Sequence, residues 1–496
     1  MMYRVHPNRA KLTYRCIALL LFIMIPLTVP QAETWFVATD GDDSNAGTID
    51  EPLASLQEGH DRASSGDTVY LRGGTYTINE PASQNFGIII TKSGKSDDER
   101  IYFWAYEDEK PVLDFGNLNL RNIGAGIRVQ GGEWLHFKGL EICNVKAQSG
   151  GNNGIWCNPC THNIFEQLNF HHCEGPGLSI ANGEGDLLIL NCDSHDNYDK
   201  NNGGEDADGF GIHYQTKGDT IRFRGCRAWW NSDDGYDLFK QQFPVVVENC
   251  WAFGNGYTNE GTGNGANGSG FKMGNSFQAN IRHTIFNCVS WGNKNQGFYA
   301  NHSPGGSNWY NNTSYKNGTQ FDLRSDVSLS GDLLHVLRNN IAFPKALNYP
   351  ENGDMEFNSW NLGLNPSEDD FESIDDEGWK GPRKPDGSLP DIPFLKLKEG
   401  CKFVDKGTDV GLPFAGDAPD LGAYETGMGT AVHDPVIGKN NPMEIRPYYT
   451  GATADHYYDI CGRRLPDKQH VNGMKLMVSR KGSGQTRLVI FRSNGN

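Results

Sequence analysis

The chain has 496 residues, 61 of them glycine, and a formal net charge of −17 at neutral pH. Its length exceeds that of a usual single domain, so one large element with an appendage is expected. The acidic balance argues against nucleic acid or an anionic membrane surface as a partner. Because the glycines fall in turns between short strands, an all-β, turn-rich protein is favoured over a helical one.

The N-terminal segment is typical of an export signal. Basic residues precede the apolar run Ile17–Ile25, and the small residue Ala32 offers a cleavage position. The run is too short for a comfortable transmembrane helix, and no lipid-attachment cysteine follows it. We therefore expect residues 1–32 to be a signal peptide and the mature chain to be secreted (extracellular, cell-surface or periplasmic) without membrane insertion.

Residues 35–77 are predicted to form a strand, a short helix and a further strand. The helix is expected within Pro52–Ala63 and the second strand within Gly66–Leu71. Such a cap covers the core and the open strand edge of the first coil of a solenoid. The acidic stretch Asp40–Asp43 could bind calcium, but a polar turn is favoured there.

Seven short segments, each with a glycine at the start of an apolar strand pattern, recur every 23 to 35 residues. This period is typical of the coils of a parallel β-helix, which we expect from about residue 85 to residue 345. Stacked strands lie about 4.8 Å apart, so residues distant in sequence become neighbours on one face. The segments are Gly126-Ile-Arg, Gly154-Ile-Trp, Gly177-Leu-Ser, Gly209-Phe-Gly, Gly235-Tyr-Asp, Gly270-Phe-Lys and Gly297-Phe-Tyr.

Ten of the 11 cysteines follow the predicted cleavage position, and four of these precede an asparagine by five positions. We interpret the pattern as an inward-facing cysteine column and an asparagine ladder whose side chains form hydrogen bonds up the stack. Free buried thiols are favoured over disulfides between coils. The pairs are Cys192 with Asn197, Cys226 with Asn231, Cys250 with Asn255 and Cys288 with Asn293, continued by Asn312 and Asn317 without cysteine.

The repeat weakens after about residue 343, and residues 344–425 are expected to pack irregularly over the last coils. A separate tail starts near Gly429, and two or three strands are predicted in its last part. The tail resembles the C-terminal sorting and anchoring modules of proteins exported by some Gram-negative bacteria. The predicted domains are a signal peptide over 1–32, a parallel β-helix domain over 33–428 and a small β module over 429–496.

Aligning the glycines of three successive coils brings acidic residues together beside a lysine. The alignment places Asp208 over Asp234 and Asp237 over Lys272, with Asp233 adjacent. Any one of these Asp-Gly motifs alone would be an ordinary turn, but their convergence favours a functional site. Carboxylates this close repel one another by kilocalories unless a cation lies among them, and oxygen ligands without His or Cys favour calcium over zinc. The sequence therefore predicts a calcium site next to a base.

These motifs resemble those of the pectate-lyase-like polysaccharide lyases of family nine. The resemblance covers roughly residues 35 to 345, is strongest from Asp206 to Phe298, and implies a right-handed parallel β-helix. It implies that Lys272, in the Gly-Phe-Lys motif, is the Brønsted base that removes the C5 proton of a uronate. It also implies that one calcium ion is held by Asp208, Asp233, Asp234 and Asp237.

The expected function is that of a secreted, monomeric, calcium-dependent polysaccharide lyase. Its substrate would be an acidic plant-type polysaccharide with galacturonate, cleaved by β-elimination to leave a 4,5-unsaturated end. A bound cation and a few local basic residues can reverse the sign of a cleft in an acidic chain. Polygalacturonate and the rhamnogalacturonan backbone present galacturonate to the same base, so the choice between them stays open.

The base must be neutral to accept a proton. A nearby cation and desolvation lower the pKa of a lysine, whereas nearby carboxylates raise it, so the metal is required for Lys272 to act. Lys240 and His302 are candidate carboxylate-binding groups. Tyr299 and Tyr236 could stack on sugar faces, although interior packing is at least as strongly indicated for Tyr236.

Two other functions stay open. A glycoside hydrolase of pectin on the same fold could use Asp233 with Asp234, or Asp208 with Asp234, but it leaves Lys272 without a role and needs no calcium. A non-catalytic glycan-binding or adhesin solenoid predicts binding without product and gives no reason for a lysine beside the acidic cluster.

A group of cysteine and histidine residues could also suggest a zinc site. Cys157-Asn158-Pro159-Cys160, with His162, His171 and His172, has metal-ligand residue types. Without a second cysteine pair at standard spacing, a turn with incidental cysteines is favoured.

Overall fold

The computed structural model describes residues 32–121, 123–183, 186–215, 221–258, 263–275 and 281–428, together with the backbone of four strand segments between 457 and 491. In these residues three long parallel sheets wind around a common core, and each coil after the cap contributes one strand to each sheet. The predicted parallel β-helix is confirmed. Of the predicted signal peptide, residues 1–31 lie outside the described part of the chain.

We name the sheets A, B and C in the order in which a coil enters them. Sheet A comprises Thr34–Val37, Thr68–Leu71, Ile101–Ala105, Leu135–Lys138, Ile164–Glu166, Leu187–Leu190, Ile221–Arg224, Val245–Glu248, Thr284–Phe286, Asn308–Tyr310, His335–Arg338 and Gly353–Glu356. Sheet B comprises Gly74–Thr77, Pro111–Asp114, Glu141–Cys143, Asn169–His171, Asp193–His195, Arg227–Trp229, Trp251–Phe253, Val289–Trp291, Thr313–Tyr315 and Ile341–Phe343. Sheet C comprises Phe86–Ile90, Gly124–Val129, Asn152–Cys157, Leu178–Ala181, Phe210–His213, Tyr236–Asp237, Phe271–Lys272, Gln296–Tyr299, Thr319–Asp322 and Leu347–Asn348.

Shorter elements complete the described chain. Three 3₁₀ helices cover Gly331–Leu333, Pro350–Asn352 and Glu368–Asp370, and a small antiparallel pair joins Tyr257–Thr258 to Gly263–Asn264. Near the C-terminus two further antiparallel pairs are formed by Tyr457–Tyr458 with Arg464–Leu465 and by Lys475–Arg480 with Thr486–Phe491. Side chains of the predicted module over 429–496 lie outside the described residues. No helix in the described ranges has the length and hydrophobicity needed to cross a membrane.

The N-terminal cap has the predicted order of elements. A helix over Leu56–Arg62 begins at Ser55, whose hydroxyl accepts a hydrogen bond from the backbone N of Glu58, as an N-cap does. The helix buries Leu56 against the core of the first coils. In the acidic stretch, Asp43 accepts hydrogen bonds from two backbone N–H groups and closes a polar turn.

The repeated glycine makes room for the asparagine ladder. A Cβ at Gly235 would lie 2.8 Å from Nδ2 of Asn255, and one at Gly270 would lie 2.9 Å from Nδ2 of Asn293. Carbon atoms do not approach so closely without displacing their neighbours. The asparagine ladder therefore requires glycine at the repeated position, because any larger residue there would displace the asparagine side chains.

The ladder and the cysteine column are confirmed. Along the ladder each Nδ2 donates to Oδ1 of the next coil at 2.8–3.0 Å, through Asn197, Asn231, Asn255, Asn293 and Asn317. The four column cysteines are free and fully buried. On the following coil Asn312 takes the cysteine's place, and its Oδ1 accepts from the backbone N of Cys288 at 3.0 Å.

One cysteine prediction is wrong. The turn after strand Asn152–Cys157 is present, but its two cysteines are not incidental, because Cys157 and Cys160 form a disulfide with Cα atoms 5.1 Å apart. That separation lies inside the range a disulfide can bridge. A three-residue spacing in a tight turn was the available signal.

After the last strands of sheets C and A, many residues between Leu364 and Tyr424 pack over the outward face of sheet B. Trp379 lies against the rings of Trp229 and Phe253, and Arg383 pairs with Asp193. The predicted irregular packing is therefore present, but it reaches back to the middle coils as well as covering the last ones.

Two buried histidines lie in one column at the start of the sheet A strands. Nδ1 of His283 accepts from the backbone N of Val245 at 3.1 Å, and Nδ1 of His335 accepts from that of Ser307 at 2.9 Å. Burial lowers the pKa of each imidazole to about 3. Because an unfolded histidine has a pKa near 6.5, the stability that these neutral rings contribute is complete above about pH 6.5 and is lost as the pH falls toward 3.

The chain itself supplies a matched substitution. Asn163 occupies the same column, and its Oδ1 accepts from the backbone N of Leu135 at 2.9 Å. We predict that His283→Asn keeps the acceptor and removes the titration. Between about pH 7 and about pH 4.5 the free energy of unfolding, measured in urea, should then fall by about 2–3 kcal/mol less in the variant than in the wild type. Parallel pH profiles for the two chains would contradict this role.

Candidate active site

The site lies on sheet C, where the register of three consecutive strands fixes it. Gly211, Asp237 and Lys272 are direct neighbours on successive strands, followed by Tyr299. The predicted placement of Asp237 next to Lys272 is therefore confirmed. Alternation along each strand turns the residue before each of these into the core.

Those inward residues form a stacked aromatic column. The ring centroids of Phe210 and Tyr236 are 5.2 Å apart, those of Tyr236 and Phe271 are 4.7 Å apart, and those of Phe271 and Phe298 are 5.0 Å apart. Tyr236 is fully buried, so it packs in the interior and cannot stack on a sugar. The column locks the register that brings Asp237 and Lys272 together.

Lys272 is the cation of the site. Its Nζ lies 2.8 Å from Oδ2 of Asp234 and 3.2 Å from Oδ2 of Asp237, and its side chain is 14% exposed. The ammonium therefore sits at the outer surface of the sheet within hydrogen-bond reach of two carboxylates.

Four buried aspartates form what we call the acid cluster: Asp208, Asp233, Asp234 and Asp237. Carboxylate oxygens of Asp208, Asp233 and Asp234 all lie within 4.8 Å of one another. Backbone N–H groups hold them in place: Asp208 accepts from the N of Asp234 at 3.1 Å, and Asp234 accepts from the N of Ser269 at 2.6 Å.

Two loops complete the cluster. Asp233 accepts from the backbone N of Asp206 at 3.0 Å and from that of Asn267 at 3.1 Å. These donors end the polar loops that precede the glycine strands of their coils. Insertions on one side of the solenoid thus orient a carboxylate of the cluster.

His213 is a member of the site that the sequence analysis did not identify. Its Nε2 lies 3.7 Å from Oδ2 of Asp237 and has no hydrogen-bond acceptor among the described residues. A Cβ at Gly211 would come within 3.2 Å of His213 and 3.7 Å of the Asp208 carboxylate, so glycine keeps this space open. The signal was its two-residue spacing from Gly211, which places both on one face.

Burial and mutual repulsion control the ionisation of the acid cluster. Burial, with the neighbouring carboxylates, holds the pKa of Asp208 well above its usual range. Burial and Asp234 raise the pKa of Asp233 to about 8. For Asp237, burial is overcome by Lys272 and His213, which lower its pKa to about 2.

The lysine is affected in the opposite direction. Burial alone would lower its pKa, but the four surrounding carboxylates hold the pKa of Lys272 well above its ordinary value. The ammonium is therefore strongly favoured while these carboxylates carry uncompensated charge. This direction agrees with the expectation from the sequence that nearby carboxylates raise the pKa of Lys272.

The donor set suits a hard divalent cation. Three carboxylates converge at ligand distance, they are buried, and each resists carrying its own negative charge. Calcium prefers oxygen ligands of this kind, and a cation would relieve the repulsion that raises their pKa values. The residues present therefore fit a calcium ion.

The remaining predicted residues lie around Lys272 rather than in the acid cluster. Tyr299 is the next residue in register but is buried, and the His302 ring lies 6.3 Å beyond it and pairs with Asp326. The ammonium of Lys240 lies 4.9 Å from the ring of Phe239.

The zinc candidates do not form one site, although the Nδ1 atoms of His171 and His172 lie 2.7 Å apart. His162 pairs with Asp186, His171 lies beside Glu141 on sheet B, and the two cysteines of the motif are bonded to each other.

A polar cavity of about 360 Å³ lies near the first strand of sheet C, six strands from that of Lys272. It is lined by Asn79, Pro81, Gln84, Asn117, Leu118, Asn119, Leu120, Arg121 and Gln148.

The chain is similar in sequence and fold to proteins named as pectate lyases. A family model described as the Pel9A-like, right-handed β-helix region matches residues 35–340, which contain the acid cluster and Lys272. Pectate lyase L of Dickeya dadantii (strain 3937) is 39% identical over 398 residues, 79% of this chain and 90% of that protein. The crystal structure of pectate lyase Pel9A superposes with a TM-score of 0.70 at 36% identity, covering 80% of this chain and 97% of that one.

A second solved structure, a rhamnogalacturonan lyase, superposes with a TM-score of 0.66 at 28% identity. It covers 74% of this chain and 97% of its own length. The right-handed β-helix expected from the sequence resemblance is thereby confirmed.

Proposed function

Because the chain belongs to the Pel9A-like right-handed β-helix family and is a polysaccharide lyase, we propose that it cleaves galacturonate-containing pectic polymers by calcium-dependent β-elimination. The product is a 4,5-unsaturated uronate end. Polygalacturonate is the favoured substrate, because pectate lyase L of Dickeya dadantii and pectate lyase Pel9A are 39% and 36% identical to this chain, whereas the rhamnogalacturonan lyase is 28% identical.

The observation that carries the proposal is the position of Lys272 against the acid cluster. A uronate has a weakly acidic proton at C5, α to its carboxylate, and its removal needs a base on one side and positive charge near the carboxylate. Lys272 places a nitrogen at the outer face of sheet C, within 3.2 Å of Asp234 and Asp237. A substrate that lies over these residues can meet both requirements at once.

Asp208, Asp233, Asp234 and Asp237 would hold a calcium ion, which would supply the positive charge that stabilises the negative charge developing on the uronate as its proton leaves. Lys272 accepts that proton at Nζ. To do so it must begin neutral, and the carboxylates that now favour its ammonium must be compensated first. The acid cluster thus couples the ionisation of the base to occupancy of the site.

The competing functions explain less. Hydrolysis by two aspartates leaves no role for a lysine that makes two ion pairs with the cluster. A glycan-binding solenoid has no need for buried carboxylates whose ionisation is opposed by burial.

The proposal extends to the chain as a whole. Residues 1–32 act as an export signal, residues 33–428 form the lyase domain, and residues 429–496 form a small β module. The enzyme acts as a secreted monomer, and Lys240, Tyr299 and His302 contact the substrate around Lys272.

We predict that Lys272→Ala abolishes formation of the unsaturated product while leaving the fold intact. Lys272→Arg should fail equally, because a guanidinium stays protonated where a base is needed. The loss should be about 10²–10⁴-fold or more in kcat, followed by ultraviolet absorbance of the product from polygalacturonate. Lys240→Ala is the matched control: it should raise KM and leave kcat near the wild-type value. Substantial turnover by either Lys272 variant would sink the assigned role.

A second prediction concerns the metal. A chelator should stop product formation and calcium should restore it. Independently of activity, calcium at about 100 times its Kd should stabilise the wild type by about 2.7 kcal/mol, measured as a raised unfolding midpoint. Asp208→Asn should lose most of that gain, whereas Asp42→Asn, in the N-terminal acidic turn, should keep it. Equal stabilisation of both variants would place the ion elsewhere.

A further inference from the structure

The outward column of sheet C that carries Lys272 continues into the earlier coils. Stacked strands are about 4.8 Å apart, so Trp156 lies four strands, or about 19 Å, from Lys272 on the same face. In register along the sheet, the column runs through Arg128, Trp156, Ser179, Gly211, Asp237 and Lys272.

Arg128 is a buried cation without an anionic partner. Its residue is 8% exposed, and no carboxylate pairs with it in the described ranges of the chain. Its guanidinium donates to the carbonyl oxygens of Trp156 at 3.4 Å and Asn158 at 2.5 Å, while Nε has no acceptor there. Burial lowers the pKa of Arg128, as expected for a charge removed from water without compensation. Such a group costs free energy unless an anion comes close to it.

The guanidinium lies against two neighbouring aromatic rings, whose centroids are 6.0 Å apart. Its central carbon lies 4.0 Å from the ring centroid of Trp156 and 5.6 Å from that of Phe86. A cation at this distance stabilises the position of the indole through its π system. Trp156 is half-buried, so part of the indole faces solvent on the same surface as Lys272.

The surface between Trp156 and the acid cluster is low. The two intervening outward positions are Ser179, whose side chain is small, and Gly211, which has no side chain. Within the column, therefore, no bulky side chain stands between the indole of Trp156 and Asp237. A polymer lying along the column can therefore reach Trp156 and Lys272 together.

We propose that Trp156 and Arg128 form a distal subsite that binds a uronate residue of the polymer, several sugar units from the bond that is cleaved. The indole provides an apolar surface for the sugar ring, and the uncompensated guanidinium attracts the sugar's carboxylate. This inference rests on the proposed function, and it adds a binding determinant that acts on long chains and not on the chemical step.

The test compares substrates of different length. In Trp156→Ala, KM for polygalacturonate should rise about tenfold with kcat nearly unchanged, which corresponds to loss of about 1.4 kcal/mol of binding. Oligogalacturonides too short to reach from Lys272 to Trp156 should be cleaved as by the wild type. Trp104→Ala is the matched control, because Trp104 is a half-buried tryptophan beside a lysine on sheet A, away from this face.

A second variant tests the charge. Arg128→Met keeps a long side chain against the Trp156 ring and removes the cation, so KM for polygalacturonate should depend less steeply on salt than in the wild type. A purely structural role for Arg128 would leave that salt dependence unchanged. Equal losses on short and long substrates, or no loss on the polymer, would overturn the distal subsite.

Direct binding separates this proposal from the proposed function. In the Lys272→Ala background, titration with polygalacturonate should show about tenfold weaker binding when Trp156→Ala is added. If the wild-type enzyme produced no unsaturated ends but this difference remained, the lyase chemistry would fail and the subsite would stand. If the wild type were active and the difference absent, the subsite alone would fail.

Discussion

The registered stacking of coils is the constraint on which the site depends. Side chains alternate between core and surface along each strand, so a slip of one residue would exchange Lys272 with its buried neighbour Phe271. Stacked rings on the inside and the asparagine ladder at the corner oppose that slip on the coils that carry the site. Two residues 35 positions apart in sequence, Asp237 and Lys272, are thereby held within 3.2 Å of each other.

That rigidity allows the site to hold an arrangement that is electrostatically costly. Four carboxylates are buried together, and one ammonium offsets only part of their repulsion. A flexible scaffold would relax by moving the groups apart, whereas here backbone N–H donors and stacked strands fix Asp208 and Asp234 in place. A bound cation would relieve this repulsion, and in the proposed mechanism the ionisation of Lys272 would respond to it.

The sequence could predict the parts of this arrangement that repeat. The glycine spacing aligned the coils, and the alignment placed Asp237 over Lys272 because a repeat with period-two alternation fixes both neighbour and face. The repeat could not predict the roles of His213 and Trp156, because these depend on which other residues cover them. It could not predict the role of Arg128 either, because whether a guanidinium has a carboxylate partner depends on the packing of turns between coils.

The distribution of unpaired charge distinguishes sheet C from the other two faces. On sheet A, Glu248 is paired with Arg222 and Arg224, and on sheet B, Asp193 is paired with Arg227 and Arg383. The C-terminal segment also packs over the middle and last coils of sheet B. Sheet C instead carries four aspartates beside a single lysine, Lys272. The same column of sheet C also carries Arg128, whose guanidinium has no anionic partner among the described residues. The two unpaired charges lie on the same face of the solenoid. A bound cation would neutralise the acid cluster, and a carboxylate of a bound polyanion would neutralise Arg128.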